Sequence, residues 1–200
     1  MPNRSMERLI AITGGIGSGK SVVSRIVSAM GYPVYDCDTQ ARRLMDRSDS
    51  IKSAIAELIA PSCIINGEID RAALSAEVFS SAEKLECLNG IVHGAVREHL
   101  AMWSSHPDRA TGIRFVETAI LYQSGLDTMV DEVWQVDAPE ELRIQRVMAR
   151  NAMSRSQVTD RIKSQDSYIP AILHRHTRLI INDGDAAVLP QVERLIDELA

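Results

Sequence analysis

Near the start of the chain, apolar residues form a short continuous run, then recur at helical spacing, and then form a second short run. Residues 9–13 form an apolar run typical of a buried strand. Apolar residues then recur at helical spacing from Ser21 to Met30, and Gly31 ends this helix. A second strand is predicted at Val34 and Tyr35. A strand, a helix and a second strand within about 30 residues predict a βαβ unit and hence a parallel sheet.

The middle of the chain carries a helical pattern instead. Residues 39–108 show few strand signals and are predicted to form a helical insertion, with a turn at Asn66-Gly67. One long amphipathic helix is predicted after Ser81 and ends near His106-Pro107. Its predicted apolar face comprises Leu85, Leu88, Val92, Val96, Leu100 and Trp103.

Strand patterns return in the last part of the chain, at residues 113–117, 132–136 and 179–181. Pro139 is predicted to open a helix in its first turn, and a closing helix is predicted from about Ala186. These alternating elements predict an α/β fold.

Composition excludes several classes of protein. A hydrophobic share of 45% and a charged share of 24% are those of a soluble globular chain. No apolar run is long enough to cross a membrane, so we expect a cytoplasmic protein without a membrane partner. The cysteines, Cys37, Cys63 and Cys87, are too far apart in sequence to indicate a disulfide framework or a zinc site.

Charge is distributed unevenly along the chain. Residues 142–178 contain eight basic and two acidic residues, whereas the whole chain has a net charge of −5. A cationic segment on an acidic protein suits a compact polyanion such as a nucleotide. It does not suit nucleic acid, which requires an extended basic face.

The segment from Gly14 to Ser21 matches G-x-x-x-x-G-K-[ST] in full. Its glycines allow backbone N–H groups to turn inward around phosphate oxygens. Lys20 supplies a cation to the β- and γ-phosphates, and the Ser21 hydroxyl can ligate Mg²⁺. A glycine-rich turn that matches by chance is the alternative, but the required strand and helix flank the loop. The sequence therefore predicts a site for a nucleoside triphosphate.

The loop alone does not distinguish a kinase from a nucleotide-dependent switch. No Asp in the chain has Gly three residues later, and the guanine-reading N-K-x-D pattern is absent. Both patterns are typical of switch GTPases, so the kinase interpretation is favoured.

Asp36 and Asp38 follow the second predicted strand, where ligands of parallel sheets bind. One of these carboxylates can accept the proton of an attacking hydroxyl group, although both can instead cap the next helix. In the basic segment, Arg143, Arg146, Arg150, Arg155 and Arg161 resemble a lid that closes over ATP. A solvated helical face is the alternative for each of these arginines.

Across essentially the whole chain, the sequence resembles the dephospho-CoA kinase family. The resemblance rests on the order and spacing of several motifs rather than on any single one. They are the loop at Thr13–Ser21, Asp36-Cys37-Asp38 with Ala41-Arg42, Asp70-Arg71, Val78-Phe79, His93 with Arg97, Arg146-Val147-Met148-Ala149-Arg150 with Gln165, and Asn182-Asp183-Gly184.

The resemblance implies transfer of the γ-phosphoryl group of ATP to the ribose 3′-hydroxyl of dephospho-CoA, with Mg²⁺ as cofactor, to give coenzyme A and ADP. It implies catalytic roles for Asp38 as base, Lys20 and Arg150. It implies nucleotide contacts from Gly15, Ile16, Gly17, Ser18, Gly19, Lys20, Ser21, Val22, Arg146 and Asn182, with Ser21 also holding the metal. Contacts to dephospho-CoA are expected from Thr13, Asp36, Arg42, Arg71, His93 and Arg97. A kinase for another small acceptor, such as a nucleoside monophosphate, and a nucleotide-dependent switch remain alternatives.

The implied fold is the three-layer α/β fold of P-loop nucleoside-monophosphate kinases, with a five-stranded parallel sheet. Its nucleotide-binding core would comprise residues 1–38, 109–149 and 177–200, with a helical acceptor domain at 39–108 and a helical lid at 150–176. We expect a monomer, although the sequence leaves an oligomer open.

Two segments depart from the family pattern. The usual His-Pro is His93-Gly94, and the usual P-L-L-F-E block is Ala119–Gln123. The family's glutamate is thus the neutral Gln123, which receives no catalytic role. Glu117, just before this block, can reach a magnesium-bound water.

Overall fold

The computed structural model describes residues 7–105, 112–166, 170–171 and 173–199. The chain divides into two compact units, a core unit of Met1–Asp36 with Pro107–Ala200 and a helical unit of Cys37–His106. Within the described ranges, the seven strands are β1 Arg8–Thr13, β2 Val34–Asp36, β3 Ile64–Ile65, β4 Glu68–Ile69, β5 Ile113–Glu117, β6 Glu132–Asp137 and β7 Thr177–Ile181. The eight α-helices of the described residues are α1 Lys20–Ala29, α2 Cys37–Arg47, α3 Asp49–Leu58, α4 Arg71–Ser80, α5 Ala82–Ser104, α6 Glu140–Asn151, α7 Arg155–Asp166 and α8 Val188–Asp197.

A five-stranded sheet with the order β2-β5-β1-β6-β7 forms the centre of the core unit. Every pairing in it is parallel, which confirms the predicted parallel sheet. Because β1 lies between β5 and β6, five of its six residues, Leu9 to Thr13, are buried. The loop that follows β1 therefore starts at the middle of the sheet edge formed by the strands' carboxyl ends.

One face of the sheet packs against α1 and α8 through a continuous apolar core. Trp134 and Phe115 are fully buried there, with ring centroids 4.9 Å apart. Val23 and Val27 of α1 are also fully buried in this core, four residues apart on one face of the helix. This packing anchors α1, whose first turn begins at the glycine-rich loop.

Some predicted boundaries of the core unit differ from the structure by a few residues. Pro139 is the N-cap of α6 rather than its first helical residue. α8 begins at Val188, because the Asp183 side chain accepts hydrogen bonds from the N–H groups of Asp185 and Ala186 and closes a turn ahead of the helix. β7 begins earlier than predicted, at Thr177, which pairs with Val133.

α6 and α7 form a helical hairpin over a small apolar cluster of their own, made of Ile144, Val147, Val158 and Ile162. Ala152 ends α6 with a φ of 51°. Arg155 of α7 donates hydrogen bonds to both carboxylate oxygens of Glu141, and this interaction lowers the pKa of Glu141 to about 2. The pair is exposed, so its contribution to stability is small.

The helical unit contains α2 to α5 around a second apolar core that includes Ile55, Cys63 and Leu74. Ser48, Asp70 and Ser81 cap α3, α4 and α5 by accepting hydrogen bonds from backbone N–H groups.

The predicted turn at Asn66-Gly67 is present, with φ values of 53° and 79°. It joins β3 and β4 as a short hairpin that the sequence pattern did not predict, because each strand has only two residues. The long helix starts after Ser81 as predicted and ends at Ser104, and the predicted end at residues 106–107 lies outside the described residues. Only Val96 and Leu100 of its predicted apolar face are fully buried, whereas Leu85 is exposed.

Candidate active site

The glycine-rich loop joins β1 to α1 at the carboxyl edge of the sheet. Gly19, the last residue before α1, has a φ of 101°, and a Cβ atom there would lie 2.0 Å from Nδ2 of Asn182. A side chain at this position is therefore excluded both by the backbone conformation and by the close approach of Asn182. The loop leads directly into the N-terminus of α1, where backbone N–H groups and the helix dipole favour an anion.

Lys20 is the first residue of α1, and its ammonium group lies across the loop. Its Nζ donates hydrogen bonds to the carbonyl oxygens of Gly14 at 2.8 Å and of Gly15 at 3.3 Å. Ser21 follows with an exposed side chain. The loop thus combines a cradle that only glycine allows, a cation and a hydroxyl group, and these residues fit a triphosphate with its Mg²⁺ ion.

Arg146 and Asn182 are brought together beside this loop, although 36 residues separate them. Arg146 donates to the carbonyl oxygen of Asn182 at 3.0 Å and to its Oδ1 at 3.3 Å. Asn182 in turn donates from Nδ2 to the carbonyl oxygen of Ser18 at 2.8 Å. Two residues predicted to contact the nucleotide therefore form one network with the loop.

Two further side chains hold the tip of the loop at Ile16. The backbone N–H of Ile16 donates to Oε1 of Gln165 at 2.7 Å, and its carbonyl oxygen accepts from Nε of Arg143 at 3.0 Å. From the sequence, no role is predicted for Gln165, and Arg143 is expected in the lid. A signal for Arg143 existed, since it precedes the buried Val147 by four residues and so lies on the inner face of α6.

Arg150, predicted to be catalytic, lies in the last turn of α6 with an exposed side chain. Its Nε donates to Oδ1 of the adjacent Asn151 at 2.8 Å. Within the described residues, no hydrogen bond joins Arg150 to the loop. The structure therefore does not bring Arg150 to the loop with Arg146, and its catalytic role stays a prediction.

Acidic and polar residues occupy the carboxyl ends of three neighbouring strands. Asp36 of β2 pairs in register with Glu117 of β5, which also pairs with Ile12 of β1. Thr13 ends β1 and is buried. Because Asp36 and Glu117 end adjacent strands on the same edge as the loop, their carboxylates are suitable oxygen ligands for Mg²⁺ or its bound waters.

A cavity of about 280 Å³ adjoins the first residues of the loop. It is lined by Thr13, Gly14, Gly15, Ala119, Ile120, Leu121, Tyr122, Gln123, Gln135, Asp137, Gln165, Leu173 and Leu179. Gln123, where the family pattern has a glutamate, thus lies on the wall of this cavity.

In the helical unit, Asp38 lies in the first turn of α2 and is exposed. Its carboxylate makes no hydrogen bond with the residues that the structure describes, which weighs against capping as its only role. Arg42 lies four residues further on and shares its helical face. Arg71, at the start of α4, is exposed and forms an ion pair with Asp46 at 2.6 Å.

His93 and Arg97 lie one turn apart on α5, and both are partly buried. The pKa of His93 is lowered by burial first and by the neighbouring Arg97 second. His93 is therefore neutral at pH 7 and can donate or accept one hydrogen bond at each ring nitrogen.

We expect the ring protons of His93 to titrate in NMR spectra with a midpoint below the usual value of about 6.5. Because the folded protein binds this proton less readily than the unfolded chain, the free energy of unfolding should fall as the pH drops below about 6.5. Denaturant midpoints across pH 5–8 test this. The His93→Gln variant should lose that part of the slope, while Arg97→Gln should raise the midpoint only slightly, since burial is the larger cause. A midpoint of His93 above 6.5 would contradict the expectation.

None of the helices in the described part of the chain is both long and apolar enough to span a membrane. The same residues contain no group of three or more His, Cys, Asp or Glu side chains that could hold a metal ion.

Comparison with known proteins agrees with this geometry. A dephospho-CoA kinase of Porphyromonas gingivalis is 39% identical over 188 residues, which cover 94% of this chain and 92% of that protein. A crystal structure of a Thermus thermophilus protein superposes with a TM-score of 0.75 at 31% identity, covering 97% of this chain and 96% of the other. A dephospho-CoA kinase from Campylobacter jejuni has a TM-score of 0.68 at 22% identity, with 96% of each chain covered, and supports the fold.

The family model for dephospho-CoA kinase matches residues 8–187, from the start of β1 to the residue before α8. This range includes the loop, the helical unit, the α6–α7 hairpin and Asn182. The chain belongs to the dephospho-CoA kinase family, and it is an ATP-dependent phosphotransferase.

Proposed function

We propose that the chain transfers the γ-phosphoryl group of ATP to the ribose 3′-hydroxyl of dephospho-CoA, which yields coenzyme A and ADP. The observation that carries the proposal is the geometry of the loop. Lys20 lies over the loop, and hydrogen bonds join Arg146 to Asn182 and Asn182 to the loop. The family membership supports dephospho-CoA as the acceptor.

In this proposal, the phosphates of ATP lie in the loop formed by Gly15 to Val22. Lys20 exchanges its hydrogen bonds to Gly14 and Gly15 for the β- and γ-phosphate oxygens, where its charge is most favourable. Arg146 and Asn182 lie beside the loop to contact the nucleotide, and Arg150 adds positive charge from the end of α6. Charge stabilisation of this kind is usually the largest contribution to phosphoryl transfer.

The proton and the new bond are assigned to the acceptor side. Asp38 accepts the proton of the 3′-hydroxyl as its oxygen bonds to the γ-phosphorus, and the bond from that phosphorus to the bridging oxygen of ADP breaks. Thr13, Asp36, Arg42, Arg71, His93 and Arg97 bind and orient the acceptor. The arginines suit its phosphate groups because a guanidinium binds phosphate in a bidentate manner.

Ser21, with help from Asp36 and Glu117 through water, would hold Mg²⁺. When bound, Mg²⁺ neutralises negative charge on the β- and γ-phosphates.

A kinase for a different small acceptor shares the loop, so the acceptor must be tested directly. A coupled assay can measure ADP release with each acceptor. We expect kcat/KM to be at least about 100-fold higher with dephospho-CoA than with AMP, CMP or shikimate, because a site built to hydrogen-bond one acceptor discriminates strongly against acceptors that leave its polar groups unpaired. A 3′-deoxy analogue of dephospho-CoA is the matched control and should give no stimulated release. Equal turnover of AMP would favour the other-kinase alternative, and release that no acceptor stimulates would favour a switch.

A further inference from the structure

Arg143 lies beneath the glycine-rich loop rather than on the solvated face of α6. It is only 9% exposed. Its guanidinium packs so closely against Gly15 that a Cβ atom there would lie 2.0 Å from Nη2. The φ of Gly15 is not in the left-handed region, so a side chain at this position would conflict with the guanidinium of Arg143 and not with the backbone conformation. Arg143 thus occupies the space that the missing side chain leaves.

The charge of Arg143 has no counter-ion among the described residues. No carboxylate in that part of the chain lies within ion-pair distance of its guanidinium, and Nη2 is buried without a hydrogen-bond partner. Glu141, two residues before Arg143, forms an ion pair with Arg155 instead. Burial of a cation without a partner is unfavourable, so the ligand-free protein bears an electrostatic cost at this point.

The N-terminus of α1, to which the loop leads and whose first turn holds no acidic residue, adds to this cost. Arg143 is the fourth residue of α6, and its guanidinium lies against the loop that leads into the N-terminus of α1. Helix N-termini carry partial positive charge, which is unfavourable for a cation and favourable for an anion. A polyanion in the loop would therefore compensate both Arg143 and the N-terminus of α1, whereas Glu140 and Glu141 already lie in the first turn of α6.

Arg143 also connects the loop to the α6–α7 hairpin. Its Nε holds the carbonyl oxygen of Ile16, Gln165 of α7 holds the N–H of the same residue, and the Ile16 side chain packs against the apolar cluster of the hairpin. The curvature of the loop is thereby set by side chains that approach it from outside.

We propose that Arg143 is a positioning residue for ATP. It fixes the loop at Gly15 and Ile16, and its buried charge is compensated only when the phosphates of ATP occupy the loop. The proposal rests on the ATP-binding part of the proposed function and does not depend on the identity of the acceptor.

The Kd for ATP, measured by calorimetric titration without an acceptor at a temperature where all variants are folded, tests the proposal. Arg143→Met should weaken binding by about tenfold, because it removes the charge at similar length. Arg143→Lys should lie between, since an ammonium group retains the charge but lacks the fork that reaches both Ile16 and Gly15. Arg194→Met, which removes an exposed arginine of α8, is the matched control and should leave Kd unchanged.

Thermal midpoints separate this role from a merely structural one. Without ligand, Arg143→Met should melt no lower than the wild type, because it removes an unpaired buried charge, yet its midpoint should rise less on addition of ATP. An unchanged Kd in Arg143→Met overturns the proposal, whatever its midpoint; if that variant does not fold, an unchanged Kd in Arg143→Lys does so. Failure of dephospho-CoA as an acceptor would overturn the proposed function and leave these binding results intact.

Discussion

Lys20→Ala is expected to lower kcat/KM for ATP by roughly 10²- to 10³-fold, with losses in both ATP affinity and kcat. The ammonium group of Lys20 lies over the carbonyl oxygens of Gly14 and Gly15, at the mouth of the loop. In the proposed mechanism, its charge would interact with the bound triphosphate and more strongly with the charge that develops on the γ-phosphate oxygens. Steady-state kinetics with varied ATP, together with direct ATP titration, measure the two losses separately.

The matched control for this variant is Arg25→Ala. Arg25 lies on the same helix, is exposed, and its Nε donates to the carbonyl oxygen of Ser21 at 3.0 Å. We expect Arg25→Ala to retain activity, because the charge of Arg25 lies on the solvated surface and is screened by salt. If Lys20→Ala and Arg25→Ala lose activity equally, Lys20 has no specific role at the phosphates and the assignment of the loop is wrong.

Asp38→Asn is expected to lower kcat by about 10²- to 10⁴-fold while leaving the Kd for ATP nearly unchanged. The amide cannot accept the proton of the acceptor hydroxyl. The glycine-rich loop, which we propose binds ATP, belongs to the other unit and is not altered. The exposed position of Asp38 in the first turn of α2 also means that the substitution should cost little stability. Single-turnover measurements at saturating ATP and dephospho-CoA report the chemical step directly.

Two further variants make the test of Asp38 specific. Asp49→Asn, at the exposed first residue of α3, controls for loss of a surface charge and should retain full kcat. Asp36→Asn removes the other acid of the pair, which lies in register with Glu117. If Asp36→Asn abolishes kcat and Asp38→Asn does not, the general base is Asp36, and the role given to Asp38 is wrong.

Structural features that depend only on residues close together in the sequence could be predicted from the sequence. The strand, loop and helix from Arg8 to Ala29 follow from an apolar run, a glycine pattern and helical spacing in close succession. The cap at Ser81 and the turn at Asn66-Gly67 are local in the same sense, because each depends on hydrogen bonds or φ values within a few residues.

Helix boundaries were predicted less accurately than the helices themselves, because competing local interactions shift them. Asp183 closes a turn and delays α8 to Val188, and Pro139 caps α6 instead of entering it. The exposure of Leu85 on the long helix has a different cause. A helical unit of this size does not provide enough neighbouring surface to cover every apolar position of a 23-residue helix.

By itself, the sequence predicted a phosphate-binding loop, because a glycine, lysine and serine pattern between a strand and a helix has one main chemical use. It also determined the parallel α/β architecture, through the alternation of strand and helix patterns, and the kinase family, through the order and spacing of several motifs along the chain. Only the tertiary structure decided which distant side chains hold that loop. Arg143 and Gln165 reach Ile16 across 127 and 149 residues, and Asn182 reaches Ser18 across 164. These contacts arise because β6 and β7 follow β1 in the sheet, and strand order is fixed by the burial of whole strands and not by any local signal.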